Sequence, residues 1–441
     1  MIGGKLFFPA VLAVMAVSVG CAPKVEGRTA FIGAEGYGAG AEGGHGGRIM
    51  KVTSLADRGA GTLRECIEAV GRRVCVFEVS GVIRFTRQRP VIRNPYITIA
   101  GETAPGDGIT LAHAGGRGAY TPLTIKDTHN VIVRHIRVRA DLIGESRGGN
   151  DAINISNSED VILDHVSASW ALDENLGAWG DNDRLTISWS VFAEGIPPHD
   201  KCALLASDPD GPQQISFVRN LCAHNGDRNP DVNVPRGSCV DVVNNVFYNA
   251  ESQFTEIWES YGGSPVNVVG NFYRAGPDTD HELAAALDRP TEGSKGTAQI
   301  YAADNVMDGI PLQTDRVSPA LVDNPPCPLQ SRPVAAEQAM RQVLDQAGTF
   351  PRDAVDERIV SEVRRSGGHI RRSPGDLPAL AAGQPYRDGD GDGMADSWER
   401  ENGANPEIAD AWEGADGDGW THLDRFLHFM HLQRMARQFP Q

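Results

Sequence analysis

The sequence predicts an all-β chain coiled as a parallel β-helix, and three observations carry that expectation. Short segments with inward apolar and outward polar residues recur through the middle of the chain. Their spacing is nearly constant, and no helical pattern fills the gaps. Fifty glycines and 27 prolines against 7% aromatic residues describe many short segments and turns.

The repeats span residues 131–135, 161–165, 185–190, 215–220, 240–245, 266–271 and 300–305. Measured between the closing residues His135, His165, Ser190, Asn220, Asn245, Asn271 and Asn305, the steps are 30, 25, 30, 25, 26 and 34 residues. Each step reads as one coil, which buries its apolar face on its neighbours because it has no core of its own. Asn220, Asn245, Asn271 and Asn305 predict a stacked ladder in which side-chain amides hydrogen-bond from coil to coil.

A β-helix has open ends that must be covered. Residues 61–70 read as a short amphipathic helix started by Thr62. At the other end, residues 335–362 read as two helices around Pro351. Cys66 and Cys75 are close enough to bridge the first helix to the next strand. For Cys202, Cys222, Cys239 and Cys327 the sequence gives no pairing.

Lys5 and the apolar run 6–19 form a segment too short to anchor in a bilayer and typical of an export signal. Ser18-Val19-Gly20-Cys21 looks like a lipoprotein cleavage site, so residues 1–20 are expected to be removed and Cys21 to carry a lipid. Ordinary signal cleavage is the alternative. Either way the chain is expected to be secreted or held outside the cytoplasm on the outer membrane, where disulfides persist. A net charge of −17 speaks against nucleic-acid binding, which needs a clustered basic face.

The tail carries a separate signal. Asp388, Asp390, Asp392, Gly393, Met394, Asp396 and Glu399 occupy positions 1, 3, 5, 6, 7, 9 and 12 of an EF-hand-like calcium loop. Residues 416–424 look like a degenerate partner loop, with Arg425 where an acid is expected. Trp398, Trp412, Trp420 and the apolar pattern of 423–432 give this tail a core. The predicted organisation is therefore a leader at 1–20, a β-helix at 29–334, a helical cap and linker at 335–383, and a small calcium-binding module at 384–441.

Several motifs carry a resemblance. Phe31-Ile32-Gly33-Ala34-Glu35-Gly36-Tyr37-Gly38-Ala39, the Gly43–Gly47 cluster, Gly61-Thr62-Leu63-Arg64 and Ser169-Trp170-Ala171-Leu172-Asp173-Glu174-Asn175 are similar to a secreted bacterial branch of the pectate lyase superfamily, of the polysaccharide lyase family 1 kind. Leu163-Asp164-His165, His199-Asp200-Lys201, Arg228-Asn229-Pro230 and Asn244-Asn245 match as well. The likeness covers roughly residues 30–365, and it implies the right-handed form of the β-helix.

That resemblance implies calcium-dependent cleavage of α-1,4-linked polygalacturonate by β-elimination, giving 4,5-unsaturated products. Removing a C5 proton beside a carboxylate builds up negative charge, which calls for a divalent cation and fixed positive groups. Calcium suits carboxylate oxygens in irregular coordination. Asp151 stands at a calcium-binding aspartate of the family, with Asp173 and Glu174 as further acidic ligands, while Gly149 replaces another carboxylate. Arg228 corresponds to the proposed proton-abstracting arginine and Lys201 to a lysine that contacts the substrate carboxylate. A guanidinium stays protonated far above neutral pH, so Arg228 either exposes a small neutral fraction or stabilises the developing charge. Asn233 replaces a second arginine of the family pattern, with Arg236 nearby as a substitute substrate contact. A monomer acting on acidic polysaccharide is expected, with no membrane contact beyond a lipid on Cys21. A glycoside hydrolase on the same fold, or a non-catalytic glycan-binding surface protein, are the alternatives.

Overall fold

The computed structural model describes Met1 and residues 28–145, 150–414 and 417–439. The leader, Cys21, Gly149 and Asp416 lie outside those residues. Among the described residues, three parallel sheets of ten, eight and nine strands wind around one apolar interior. The chain visits the first sheet, the third and the second in turn, once per coil, and every strand pairs in parallel with its counterpart in the next coil.

The repeats of the sequence are the strands of the first sheet. Val131, Val161, Leu185, Ile215, Val240, Val266 and Ile300 stack in register, each fully buried. A β-branched or leucine side chain at each step fills the interior without a polar atom to satisfy. The corner after these strands is sharp. His135, His165, Trp189, Arg219, Asn244 and Asp304 all take left-handed backbone, with φ between 49° and 57°. Left-handed backbone costs a residue with a Cβ about 1–2 kcal/mol, and in the coils of Trp189, Arg219, Asn244 and Asp304 side-chain hydrogen bonds at the next position offset it.

That next position is the asparagine ladder. The Asn220, Asn245 and Asn271 backbone N–H groups donate to Oδ1 of Asn245, Asn271 and Asn305 at 2.8, 2.9 and 3.0 Å. Each Nδ2 group also donates to a backbone carbonyl of the coil, as Asn271 does to Val242 at 2.8 Å. Ser190 extends the ladder, its N–H donating to Asn220 Oδ1. His135 and His165 belong to the left-handed column one residue earlier, with Trp189 stacked beside His165. The series of closing residues therefore mixes two columns, and the spacing between Val161 and Leu185 is 24 residues.

Helix α1 (Leu63–Glu68) caps the first coil, with Thr62 accepting from the Glu65 N–H and burying Leu63, Cys66 and Ile67. Cys66 pairs with Cys75, Cys202 with Cys222, and Cys239 with Cys327. Helices α2 (Ala336–Gln346) and α3 (Ala354–Arg365) form where expected but do not close the end of the solenoid. They lie along its flank, because the outward face of the third sheet presents Val191, Leu221, Val246, Tyr248 and Phe272, which would otherwise meet water. Arg139 anchors α3 through buried ion pairs to Asp353 and Asp356 at 3.0 and 2.7 Å. The final coil is closed by the segment carrying Val317 and Ala320, with Leu321 bridging to Ile300.

The tail is folded against the other end. Helices α4 (Asp396–Asn402) and α5 (His422–Met435) bury Trp398, Phe426 and Met430 together with Val74, Val76 and Ala100 of the first sheet. Arg434 of α5 donates to the Glu102 and Gly106 carbonyls at 3.0 and 2.8 Å. Among the described residues, no helix is long and apolar enough to cross a membrane.

Candidate active site

The second sheet presents its outward residues to an open cleft. Its strands Ile153–Ser156, Glu174–Trp179, Lys201–Leu205, Asp231–Val232 and Thr255–Ile257 follow one another in register. Alternation turns Ile153, Leu176, Ala203, Val232 and Ile257 into the interior. Glu174 pairs in register with Lys201, and Asp231 with Glu256, so charged groups from successive coils come together on the outside.

Asp151, Asp173 and Glu174 bring carboxylate oxygens within 4.8 Å of one another. Asp151 and Glu174 are buried. One Asp151 oxygen accepts from Asn154 at 2.7 Å, while the other has no hydrogen-bond partner among the described residues. Gly177 makes the room, since a Cβ there would stand 2.5 Å from the Asp151 carboxylate. Burial and the neighbouring Glu174 charge push the Asp151 carboxyl well above its ordinary range, and burial with Asp173 raises Glu174. An orphaned buried carboxylate within an acidic trio is a donor set that fits a hard divalent cation such as calcium.

Arg228 faces the trio from two coils further on. Its guanidinium is hydrogen-bonded to Glu174 and lies 3.5 Å from Asp231, and its backbone N–H donates to Glu256 at 3.3 Å. Arg228 adopts φ of 52°, a strained backbone for an arginine that directs the side chain onto Glu174. Burial opposes its charge, yet Asp231, Glu174, Asp227 and Glu256 outweigh it and raise the guanidinium above its ordinary value. Burial and Asp227 raise Glu256 to about 7. Lys201 stands beside Glu174 with its ammonium 2.6 Å from Asp227.

Asp151, Asp173, Glu174 and Arg228 all line one cleft, together with Lys126, Asn154, Trp179 and His199. His199 lies 3.3 Å from Asp173, and the exposed Trp179 indole donates to Asp208 at 2.9 Å. Asn233 and Arg236 do not line that cleft: Asn233 bonds Ser260 at 2.8 Å, and Arg236 donates to the Gly262 carbonyl at 3.1 Å. Glu256, Trp179 and Gly177 belong to no motif of the sequence, whereas Asp227 adjoins Arg228 in it. Outward alternation along the strands could have found Glu256 and Trp179; no local signal marks Gly177.

In the tail, the Asp388 carboxylate accepts from the Gly391 and Gly393 N–H groups at 2.8 and 2.9 Å. Asp388, Asp390 and Asp392 form one acidic group, and Asp392, Glu399 and Asp410 another. The Met394 side chain is buried in the apolar cluster, leaving only its backbone for the loop. Asp396 accepts from the Gly389 N–H at 2.7 Å and pairs with Arg387 and Arg400. In the segment expected to resemble a partner loop, Asp418 pairs with Arg425 at 2.9 Å.

A solenoid with this acidic and cationic cleft on one outer face defines a protein of the polysaccharide lyase kind. The chain belongs to the pectate lyase family: it is 34% identical over 425 residues to a probable pectate lyase C of Aspergillus terreus, across 92% of this chain and 95% of that one. Among solved structures, the cedar-pollen major allergen jun a 1 superposes with a TM-score of 0.56 at 19% identity, covering 72% of this chain and 92% of that one. A Bacillus subtilis pectate lyase mutant gives 0.52 at 14% identity, over 71% and 96%. These two likenesses concern the fold. No family model matches the chain.

Proposed function

We propose that this pectate lyase cleaves α-1,4-linked polygalacturonate in the second-sheet cleft by calcium-dependent β-elimination, leaving 4,5-unsaturated ends. One observation carries the reading: Glu174 belongs at once to the acidic trio and to the contact with Arg228, so cation ligands and fixed positive charge meet in one groove. Asp151, Asp173 and Glu174 would hold the calcium ion. When bound, calcium neutralises the substrate carboxylate and the charge that grows beside it as C5 loses its proton.

The chain's own residues do the rest. Lys201 and Lys126 attract and orient uronate carboxylates, and Trp179 offers a flat apolar surface to a sugar ring. The C5 proton leaves to a base at Arg228: either a hydroxide held by the guanidinium, or the neutral guanidine, which becomes accessible only as a cation on Glu174 offsets part of the carboxylate charge that holds the arginine protonated. Both routes give rates that climb toward alkaline pH. The C4–O bond then breaks, the C4–C5 double bond forms, and the departing oxygen takes a proton from solvent. Arg236 and Asn233 contact more distant sugars, beyond the cleft itself.

The tail of residues 384–441 is read as an EF-hand-like calcium module of the kind carried by secreted bacterial enzymes, and residues 1–20 as an export signal followed by a lipid-bearing Cys21. Both assignments fit a monomer working on polymer outside the cytoplasm. The deciding experiment follows the absorbance of unsaturated uronate released from polygalacturonate, with calcium and with excess chelator. Product only with calcium is expected; equal rates in chelator would refute the proposal.

A further inference from the structure

The calcium loop in the tail is not self-contained. Positions 1, 3, 5 and 12 are filled by Asp388, Asp390, Asp392 and Glu399, but Asp396 at position 9 is turned to the Gly389 N–H, Arg387 and Arg400. In its place Asp410, eleven residues beyond the end of the loop, brings a carboxylate oxygen within 4.8 Å of those of Asp392 and Glu399.

Glu399 supplies an independent observation. Its side chain is 0% exposed, and neither carboxylate oxygen has a hydrogen-bond partner among the described residues. Asp392, 3% exposed, likewise leaves one oxygen unpartnered. A buried carboxylate with nothing to accept from is strongly unfavourable, and Glu399 is one. It converges with Asp392, which accepts on one oxygen from the Met394 N–H at 3.1 Å, and with Asp410, which accepts from the Asn405 N–H at 3.0 Å and lies 3.2 Å from His422. A hard cation between them removes that cost, and the count of carboxylate oxygens suits calcium better than the strict octahedron of magnesium.

The same loop is built onto the solenoid. Lys51, in strand Arg48–Val52, pairs with Asp388 at 2.9 Å. Gly393 runs so close to that strand that a Cβ would stand 2.9 Å from Ile49. Tyr386 donates to the Gly393 carbonyl at 2.8 Å, and Met394 packs with Val74 and Val76 of the next strand. Ordering the loop therefore orders its contacts with the first two coils.

We propose that Asp388, Asp390, Asp392, Glu399 and Asp410 together hold one calcium ion, and that this ion fastens the tail to the first two coils of the β-helix. The proposal rests on the reading of the tail as calcium-binding and adds to it a ligand from outside the loop and a structural target. The tail is then a calcium-operated clamp on the solenoid, and it acts without the cleft.

The test uses the full chain carrying Asp151→Asn, which weakens cation binding in the cleft, and adds Glu399→Gln, Asp410→Asn or Asp396→Asn. Calorimetric titration with calcium, Tm with and without calcium, and hydrogen exchange in Arg48–Val52 and Arg73–Phe77 are measured. The parent is expected to bind one calcium ion, gain several degrees in Tm and protect both strands. Glu399→Gln should abolish all three effects, Asp410→Asn should weaken binding about tenfold or more, and Asp396→Asn should bind like the parent. Should Glu399→Gln fail to fold, Asp410→Asn, nearer the rim of the site, decides. A parent that binds no calcium would overturn the tail reading as a whole. Binding lost in Glu399→Gln but untouched in Asp410→Asn would keep that reading and overturn the proposed ligand set. Calcium binding without protection of the two strands would overturn the clamp.

Discussion

Replacing Gly177 by alanine tests the cleft with one methyl group. Gly177 lies in strand Glu174–Trp179 with ordinary extended backbone, so alanine is not strained there and the unfolded chain becomes slightly less free. The new Cβ would stand 2.5 Å from Asp151 Oδ2 and 2.9 Å from its Cγ. Ordinary contact needs about 3.4 Å or more, so the carboxylate has to move by roughly 1 Å, breaking the 2.7 Å hydrogen bond from Asn154. A displacement of that size in a reacting site costs on the order of 100-fold in rate. The expected result is kcat/KM for polygalacturonate lower by about two orders of magnitude and a higher calcium requirement, with Tm changed by no more than a few degrees. Unsaturated-product absorbance across a calcium series, with thermal unfolding beside it, reads all three. A variant with wild-type rate and calcium response would show that Asp151 does not hold the cation. A collapsed Tm would place the importance of Gly177 in packing.

Three further outcomes are expected. Arg228→Lys keeps a positive charge but loses the planar fork that reaches both Glu174 and Asp231, so turnover should fall about 100- to 1000-fold while Tm holds; a near-normal rate would move the role elsewhere. Asn271→Ala strips the ladder of an acceptor for the Asn245 N–H and a donor for the Val242 carbonyl, and the urea midpoint should report a loss of about 2–4 kcal/mol; an unchanged midpoint would make the ladder incidental. Glu256 is raised from 4.5 to about 7, so the folded state binds the extra proton and stability falls as pH rises through that window; Glu256→Gln should flatten this part of the stability–pH curve in calcium-free buffer, and an unaltered slope would refute the assignment.

The columns of the solenoid were legible because each coil repeats one local pattern. Val131, Val161 and Leu185 announce themselves by alternation, and Asn220, Asn245, Asn271 and Asn305 by recurrence at the same corner. Helix α1 was plain from the Thr62 cap and its apolar spacing, and α2 and α3 were expected as two helices around Pro351. The destination of α2 and α3 was not, because an amphipathic helix states that it has an apolar face and not which surface receives it. The outward Val191, Leu221, Val246 and Phe272 decided that, and they are short strand residues indistinguishable in sequence from interior ones.

The sequence by itself determined the coil, the ladder and the candidate residues Asp151, Asp173, Glu174, Lys201 and Arg228, since these depend on local periodicity or on motifs that travel with the family, and it placed Cys66 and Cys75 within bridging reach. Only the tertiary structure decided which of them meet. Register between coils sets Glu174 beside Lys201 and under Arg228, leaves Asn233 and Arg236 outside the cleft, and turns Asp396 from the tail loop while bringing Asp410 in. Side chains 50 or more positions apart become neighbours through the rise of the solenoid. Their proximity is set by the unequal lengths of the intervening loops, a quantity that no local pattern carries.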